Sequence, residues 1–437
     1  MSAFRAYDVR GIYGTEVTEE LVEKVGSAFG SCFKRGDVSL GRDTRISGPH
    51  LQAAFIKGVI SAGCNIQSYG IIPISVLSYI TREDKLDAAA YISASHNSAK
   101  YNGIRFRTGD GYGMLYKETK IMEYYLEGNF SRGNGCIIDK DPSVALDRYS
   151  DYISKKVNIQ RKLKVVLDFG NGSACSMAPI YEKSELEIIK VNENMDGRFP
   201  GRGPSPTEES LQEASKIVVK NKADFGVGFD PDADRGLIVD DLGRVVPPEK
   251  IAIIIAKKRY RPGDLVISGF DCSMILEREL KPKGYNVQRE RVGDVFIANR
   301  VKDSGAVLGV ERSAHFFLPE FQYSDDPFAM SLVLAEIISQ GEKLSVLADE
   351  IPDYPYLQKS IRIEGDTTTV MLRLKDALAR MEPDTLDGLK ITTEGHSALI
   401  RPSNTEPIIR LYIETVGDDM AELEERYMGL IGKAIKP

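Results

Sequence analysis

Three aspartates at alternate positions offer the clearest chemistry in the sequence. Asp230, Asp232 and Asp234 come directly after the apolar run FGVGF. In an extended backbone alternate side chains project to one side, so the three carboxylates would lie close together and need a cation. Oxygen ligands favour Mg²⁺, Mn²⁺ or Ca²⁺ over zinc, and an EF-hand is excluded because Arg235 stands where that loop needs glycine. The spacing predicts a divalent-metal site; a solvated acidic turn and a phosphatase with Asp230 as its nucleophile are the alternatives.

A serine and a histidine follow another apolar run. Ser95, His96 and Asn97 come after AAYISA. A serine hydroxyl is a poor nucleophile unless a base or a positive field assists it, and serine and asparagine are common in turns for structural reasons. Taken alone, the tripeptide therefore indicates an ordinary turn, and His96 alone indicates a hydrogen-bonded structural histidine.

The segment RPSNTEP brings several anion-binding groups together. One guanidinium, two hydroxyls and a side-chain amide lie within five residues, on Arg401, Ser403, Asn404 and Thr405. This combination suits a phosphate dianion, which accepts bidentate hydrogen bonds from arginine and single ones from short donors. Arg410 adds charge nearby. A capped turn between two strands is the alternative.

The segment ERSAH carries a carboxylate, a hydroxyl and an imidazole on alternate residues, Glu311, Ser313 and His315. These groups suit neighbouring sugar hydroxyls, although alone they indicate no more than a charged loop. Three arginines are lesser candidates that could equally be surface charges: Arg10, Arg42 and Arg45.

The turns that carry these residues share one pattern, in which a short apolar run ends in Gly, Asp, Ser or Asn. Continuous Val, Ile and Leu runs are typical of strands buried on both faces, and the amphipathic stretches between them are typical of crossover helices. The pattern predicts an α/β protein whose ligands lie beyond the carboxyl ends of its strands. The runs begin at Val38, Ala89, Lys164, Phe225, Leu265 and Ala306.

Capping signals predict where three helices begin. Ser205 as N-cap, Pro206 in the first turn and Glu208 at the third position form a capping box ahead of LQEASKIVVKNK. Two further helices are predicted to begin near Thr18 and Glu249.

The length of 437 residues suggests three domains of ordinary size, or more if they are small. Polar or proline-bearing stretches near Asp141, Pro247 and Pro352 divide the chain into four units. The last unit contains LKITTEGHSALIRPSNTEPIIRLYIET, which alternates like an antiparallel sheet. We predict three α/β domains and a smaller C-terminal α+β domain, at residues 1–141, 142–246, 247–351 and 352–437.

Composition is that of a globular protein, with 42% apolar and 28% charged residues and a net charge of −7. The first residues, MSAFRAYDVRG, carry charges where a signal peptide needs an apolar core, and no apolar run approaches a membrane span, so we predict a cytoplasmic protein without a membrane partner. Mild acidity and the lack of basic blocks argue against nucleic acid as a partner. Five scattered cysteines without a CxxC pair predict neither a disulfide framework nor a zinc site.

Together the segments resemble one protein family. AYDVRG, SASHN followed by YNGIRF, DPDADR, GVERSAH and RPSNTEP occur in the order and spacing of the α-D-phosphohexomutases, which include phosphomannomutase, phosphoglucomutase and phosphoglucosamine mutase. The similarity runs from Arg5 past Arg410. It implies four domains around a central cleft, three of them related mixed α/β units.

The resemblance also implies roles for individual residues. Ser95 corresponds to the phosphoserine, and a Ser95 phosphate oxygen completes a Mg²⁺ site with Asp230, Asp232 and Asp234. Glu311, Ser313 and His315 correspond to the sugar loop. The phosphate loop corresponds to Arg401, Ser403, Asn404 and Thr405, with Arg410 beside it. Other family active-site positions are Tyr7, Arg10, His96 and Arg235.

The implied activity is interconversion of hexose 1-phosphate and hexose 6-phosphate, for mannose, glucose or both, through a 1,6-bisphosphosugar that also serves as activator. Phosphoglucosamine mutase and a non-catalytic sugar-phosphate-binding protein are the alternatives, and a homo-oligomer stays open. Arg105 departs from the family pattern, because it stands where a lysine is proposed as general acid or base. A guanidinium carries protons poorly, so we expect Arg105 to act as an electrostatic clamp.

Overall fold

The computed structural model describes residues 3–116, 119–364, 366–403 and 407–436, which form four sheets in four domains. The first sheet has six strands in the order β1-β5-β4-β2-β3-β6. Its elements are β1 (Asp8–Ile12), α1 (Glu19–Cys32), β2 (Asp37–Arg42), α2 (Gly48–Ser61), β3 (Asn65–Ile71), α3 (Ile74–Glu83), β4 (Ala88–Ile92), β5 (Tyr101–Thr108), α4 (Ile121–Glu127) and β6 (Ile137–Asp139).

The second sheet has five strands in the order β11-β10-β9-β7-β8. Its elements, with the helix that leads into them, are α5 (Pro142–Ser154), β7 (Lys164–Asp168), α6 (Ala178–Lys183), β8 (Glu187–Val191), α7 (Gln212–Asn221), β9 (Phe225–Phe229), β10 (Gly236–Asp240) and β11 (Val245–Val246).

The third sheet has four strands in the order β13-β12-β14-β15. The elements of this part of the chain are α8 (Pro248–Arg259), β12 (Leu265–Gly269), α9 (Ile275–Leu280), β13 (Asn286–Glu290), α10 (Asp294–Ser304), β14 (Leu308–Val310), β15 (Phe316–Phe317), α11 (Pro327–Ser339) and α12 (Leu344–Asp349).

The fourth sheet is antiparallel throughout, in the order β16-β19-β18-β17, as its alternating sequence predicts. Two helices pack against it and bury one apolar face of the sheet. The elements are β16 (Tyr356–Arg362), α13 (Thr367–Leu378), β17 (Leu389–Thr392), β18 (His396–Pro402), β19 (Ile408–Thr415) and α14 (Met420–Ile435).

The first three sheets share one topology. In each, a central strand (β2, β7 or β12) pairs in parallel with the next two strands of the chain, one on either side. A fourth strand (β5, β10 or β15) then returns antiparallel to the third. The prediction of three related mixed α/β units is confirmed, and the six apolar runs all form strands of these sheets.

Two of the three predicted helix starts are confirmed. The hydroxyl of Thr18 accepts a hydrogen bond from the Leu21 N–H at the start of α1, and α8 begins beside Glu249. The prediction at Ser205 is wrong, because α7 begins only at Gln212. The hydroxyl of Thr207 instead accepts a hydrogen bond from the Ser210 N–H, and the hydroxyl of Ser210 accepts one from the Thr207 N–H. This closed turn competes with the start of a helix at Ser205.

The largest buried apolar cluster runs through the second and third domains and reaches α3 of the first. This shared core holds the loops of the first three domains in fixed relative positions, because a close-packed interior has low compressibility. Within the described residues, every helix is too short or too polar to serve as a membrane span.

Candidate active site

Three equivalent connections carry most of the predicted site residues. The SASHN segment links β4 to β5, the aspartate segment links β9 to β10, and ERSAH links β14 to β15. Each holds one non-glycine residue with positive φ, at Ser95 (48°), Ala233 (58°) and Ala314 (68°). Such a conformation is uncommon outside glycine and persists only where its surroundings enforce it. The shared topology therefore brings the three loops to one place with a similar tight bend.

Ser95 lies at the junction of the first two loops. Its side chain is buried, and its hydroxyl donates a 2.9 Å hydrogen bond to Oδ2 of Asp230. The Nδ1 atom of His96 lies 3.3 Å from the same hydroxyl. The charge of Arg235, then burial, lowers the pKa of His96 to about 2, so this imidazole is neutral. Ser95 is thus placed against a carboxylate and an uncharged ring nitrogen.

The three aspartates are fully buried, and one oxygen from each lies within 4.8 Å of the others. Oδ1 of Asp232 has no hydrogen-bond partner, although buried carboxylates are normally satisfied, and Oδ1 of Asp234 has only a 3.3 Å contact with Nε2 of His315. Burial and the neighbouring charges of Asp234 and Asp232 raise the pKa of Asp230 well above its usual range. An oxygen-only cluster with an unused buried ligand atom fits a hard divalent cation such as Mg²⁺.

Arg105 sits inside this acidic group. Its guanidinium bonds to Asp232 at 3.2 Å and, more closely, to Asp234 and Asp294. Oδ2 of Asp325 lies 4.0 Å away. Burial opposes the charge of Arg105, but these carboxylates, Asp294 foremost, raise its pKa well above its ordinary value. Arg105 therefore stays a cation that joins its own domain to the next two.

Asp294 and Asp325 are the site residues that sequence reasoning missed. Asp294 is the first residue of α10 and accepts a 3.0 Å hydrogen bond from the hydroxyl of Tyr7. Asp325 is fully buried and pairs with Arg107 at 3.1 Å. The only sequence signal for Asp294 is its place just after β13 and Gly293, a polar turn at a strand end like those that drew attention to the other loops.

The third loop turns its polar side chains toward the aspartates. Nδ1 of His315 lies 2.8 Å from Oε2 of Glu311, and the Ser313 hydroxyl contacts both residues. Nε2 of His315 lies 3.3 Å from Oδ1 of Asp234. Burial opposes protonation of His315, but the charge of Asp234 outweighs it and raises the imidazole's pKa well above its ordinary value. His315 is therefore charged, unlike His96.

Two arginines lie beside the loops. Arg10 donates to Oδ1 of Asn97 at 3.1 Å and pairs with Asp8 at 2.6 Å. Arg235 Nε lies 3.3 Å from Nε2 of His315 and 3.8 Å from Oδ2 of Asp230. Both are partly exposed, so their guanidinium groups can reach a bound anion.

The predicted phosphate loop lies in the fourth domain. Arg401 is buried near the end of β18, 2.8 Å from Asp387, and pairs in register with Arg410 of β19. Ser403 follows β18, whereas Asn404 and Thr405 lie outside the described residues. Asp387 also accepts a 3.1 Å hydrogen bond from the Val292 N–H of the third domain. The predicted site residues of the first three domains thus lie in contact with one another. Asp387 connects Arg401 of the fourth domain to the third domain.

Comparison with known proteins matches each domain. Models of the phosphoglucomutase/phosphomannomutase alpha/beta/alpha domains I, II and III match residues 1–132, 147–243 and 247–354, and the model of the C-terminal domain matches residues 361–427.

Curated relatives of similar length carry two kinds of name. A phosphoglucomutase/phosphomannomutase of Thermococcus kodakarensis is 32% identical, over 99% of both chains. A phosphoglucosamine mutase of Methanococcus maripaludis is 30% identical over 96% of each. The relatives therefore agree on the type of reaction and differ in the sugar.

Solved structures share the whole fold. A phosphoglucomutase/phosphomannomutase family protein of Burkholderia thailandensis, 25% identical, superposes with a TM-score of 0.90 over 99% of this chain and 97% of the other. The Aspergillus fumigatus N-acetylphosphoglucosamine mutase, in complex with GlcNAc-6P and magnesium, is 13% identical and has a TM-score of 0.61, covering 99% of this chain and 96% of the other. With four domain models matched in order along nearly its full length, the chain belongs to the phosphoglucomutase/phosphomannomutase family of phosphohexomutases.

Proposed function

We propose that the protein interconverts the 1-phosphates and 6-phosphates of glucose and mannose through phospho-Ser95 and a 1,6-bisphosphosugar. The observation that carries the proposal is the 2.9 Å contact between the Ser95 hydroxyl and Asp230, within an aspartate cluster that has an unused buried oxygen on Asp232. A phosphoryl group on Ser95 would stand beside a cation held by Asp230, Asp232 and Asp234. Bound Mg²⁺ supplies neutralisation of the phosphoryl charge.

Transfer breaks the phosphorus–oxygen bond at Ser95 Oγ and forms one to a free hydroxyl of the sugar monophosphate. The proton of that hydroxyl needs an acceptor, and Arg105 cannot serve because its guanidinium stays protonated. We assign this role to His96, whose Nδ1 lies 3.3 Å from Ser95 Oγ and would pass the proton to that departing oxygen. The pKa of His96 is lowered to about 2 beside Arg235, and the negative charge of a phosphoryl group close to the ring would raise it. The bisphosphosugar then turns over, its second phosphate is transferred to Ser95 Oγ, and the Ser95 proton passes through His96 to the sugar oxygen that is released, which regenerates the phosphoenzyme.

Binding of the sugar falls to the third and fourth domains in this proposal. Glu311 and Ser313 hold hydroxyls that glucose and mannose present alike, and His315 supplies positive charge near the transferred group. The non-reacting phosphate binds Arg401, Ser403, Asn404, Thr405 and Arg410. Tyr7, Arg10 and Arg235, which lie beside the loops of the first three domains, contact the rest of the substrate. Because the groups proposed to hold the sugar do not bind the C2 hydroxyl, we expect both C2 epimers to be substrates.

Phosphoglucosamine mutase is the second candidate, because relatives with the same coverage carry that name. Coupled assays with glucose, mannose and glucosamine phosphates at equal concentration rank the three sugars. We expect glucose and mannose to react at comparable rates. A strong preference for glucosamine 6-phosphate would replace the first candidate by the second.

The phosphoserine is tested separately from the sugar. Incubation with Mg²⁺ and glucose 1,6-bisphosphate should add about 80 Da to the intact chain, on the peptide that contains Ser95. Ser95→Ala should abolish the mass gain and lower kcat by at least about 10³-fold, since the attacking and leaving oxygen is lost. Ser98→Ala, which changes an exposed hydroxyl three residues away, is the matched control and should retain both. Full isomerase turnover by Ser95→Ala would contradict the proposal, and release of inorganic phosphate that survives Ser95→Ala would favour the Asp230 phosphatase.

A further inference from the structure

Arg45, one of the arginines of GRDTR, does not reach the site yet holds its central loop. Its side chain is fully buried and pairs through Nε with Asp43 at 2.9 Å. Both terminal nitrogens of the guanidinium donate to backbone carbonyl oxygens of the loop between β4 and β5. The acceptors are Ser95 (2.6 Å), Asn97 (2.6 Å), Ser98 (2.7 Å) and Tyr101 (2.9 Å).

The Asp43 carboxylate also supports the backbone N–H of Ser95, through Ser93. Oδ2 of Asp43 accepts a 2.8 Å hydrogen bond from the Ser93 hydroxyl, and that hydroxyl accepts a 2.7 Å bond from the Ser95 N–H. The N–H of Ser95 is therefore fixed through Ser93, and its carbonyl through Arg45. A serine at φ 48° is a strained conformation that only such surrounding contacts can maintain.

We propose that Arg45 is a positioning residue for phosphoryl transfer, which holds the backbone of the Ser95 loop so that the hydroxyl faces Asp230. The inference rests on the proposed function. In a trans peptide the carbonyl and the following N–H point in opposite directions, so carbonyls drawn to Arg45 turn the N–H groups of His96 and Ser98 away from it. Lysine keeps the charge but lacks the planar fork that spans several carbonyls, so it cannot replace Arg45.

The test compares Arg45→Lys with Arg42→Lys. Arg42 lies three residues earlier and bonds to Gln52 and the Asp43 carbonyl, without contact to the Ser95 loop. We expect Arg45→Lys to lower kcat, and the rate of Ser95 phosphorylation by glucose 1,6-bisphosphate, by about 100-fold, the effect of misplacing a reacting group by about 1 Å. KM should stay within about threefold because the sugar-binding groups are untouched. Arg42→Lys should keep both rates.

Ser93→Ala is a milder second variant, which tests the support of the Ser95 loop if Arg45→Lys does not fold. It removes one hydroxyl from the same support, and we expect a fall in kcat of about tenfold, again without a change in KM. Wild-type phosphorylation rates in a folded Arg45→Lys, or in Ser93→Ala where only that variant folds, would overturn the inference, as would a loss that appears in KM instead. If the wild-type chain itself is never phosphorylated on Ser95, the proposed function fails first and the inference falls with it.

Discussion

Arg105 is the residue whose surroundings say most about its role. Its guanidinium is shared by Asp232 and Asp234 of the aspartate cluster and by Asp294 of the third domain. A cation there relieves repulsion among buried carboxylates, which would otherwise be costly. It also holds, through their Oδ2 atoms, two of the carboxylates that a divalent ion would use. Arg105 and a bound metal ion therefore compete for the same two carboxylates.

Removing that competitor should strengthen metal binding. We expect Arg105→Gln to bind Mn²⁺ at least about tenfold more tightly than the wild type, because like charges a few Å apart repel strongly at low dielectric. The free Mn²⁺ signal in electron paramagnetic resonance, recorded without sugar phosphate, measures this directly. Without metal the variant should melt at a lower temperature, since the acidic group loses its counter-ion. Weaker Mn²⁺ binding would mean that Arg105 shapes the ligand set rather than competing for it.

Two histidines in the same site illustrate how neighbours decide protonation. His96 faces Arg235 and Arg10, which together with burial lower its pKa to about 2. His315 faces Asp234 and Glu311, which raise its pKa against the effect of burial. Sequence alone cannot distinguish them, because both follow an apolar strand and a serine. Their different protonation states arise chiefly from Arg235 and Asp234, which reach them from the second domain.

At the scale of elements, the same bend between the third and fourth strands recurs in three domains and supplies three parts of the site. Ser95, Ala233 and Ala314 each occupy the left-handed region there. Glycine adopts this conformation without strain, whereas alanine does not. The loops thus store backbone strain that packing and hydrogen bonds maintain.

Replacing one of these alanines by glycine tests that strain. We expect Ala314→Gly to leave the melting temperature unchanged or raise it, because relief of the positive φ offsets the flexibility of glycine. Ala298→Gly, the same change at a buried position within α10, should cost about 1 kcal/mol of stability. Differential scanning calorimetry of both variants gives the comparison. A similar loss in both would show that the bend at Ala314 is unstrained.

The sequence predicts those elements whose signals are local. Short runs of residues predict the strand ends, the cap at Thr18 and the order of the domains, and all of these are present in the structure. The capping box at Ser205 misleads because Thr207 and Ser210 form a competing turn that the pattern does not weigh. Asp294 and Asp325 could not be found because their partner, Arg105, lies 189 residues before the first of them in the chain. Such pairings depend on domain packing.

At the scale of the molecule, the fourth domain meets the third through buried polar groups. Lys390 of β17 donates from Nζ to the carbonyls of Phe270 at 2.7 Å and Cys272 at 3.4 Å. Glu414 of β19 accepts from the Ser273 hydroxyl and, at 2.8 Å, from the Met274 N–H. One loop of the third domain is thus held at both ends. Because the fourth domain carries the proposed phosphate loop, this contact between the third and fourth domains sets the position of that loop relative to Ser95.

Burial, assisted by the charge of Arg289, lowers the pKa of Lys390 to about 7. An unfolded lysine titrates near pH 10.4, so between about pH 7 and pH 10 the folded state binds fewer protons than the unfolded state. Stability from Lys390 is therefore full above that range and is lost as the pH falls toward 7. A single proton corresponds to about 1.4 kcal/mol per pH unit.

We expect the melting temperature of the wild type, relative to Lys390→Met, to rise steadily between pH 7 and pH 9.5, because the variant has no amine to deprotonate on folding. Calorimetry of both proteins at half-unit intervals measures the gap. Lys283→Met, at an exposed lysine of the third domain, should show a constant gap and controls for the lost charge. A constant gap for Lys390→Met as well would mean that Lys390 stays charged at the interface. The two domains would then be joined by an ammonium group, and their contact would be insensitive to pH across this range.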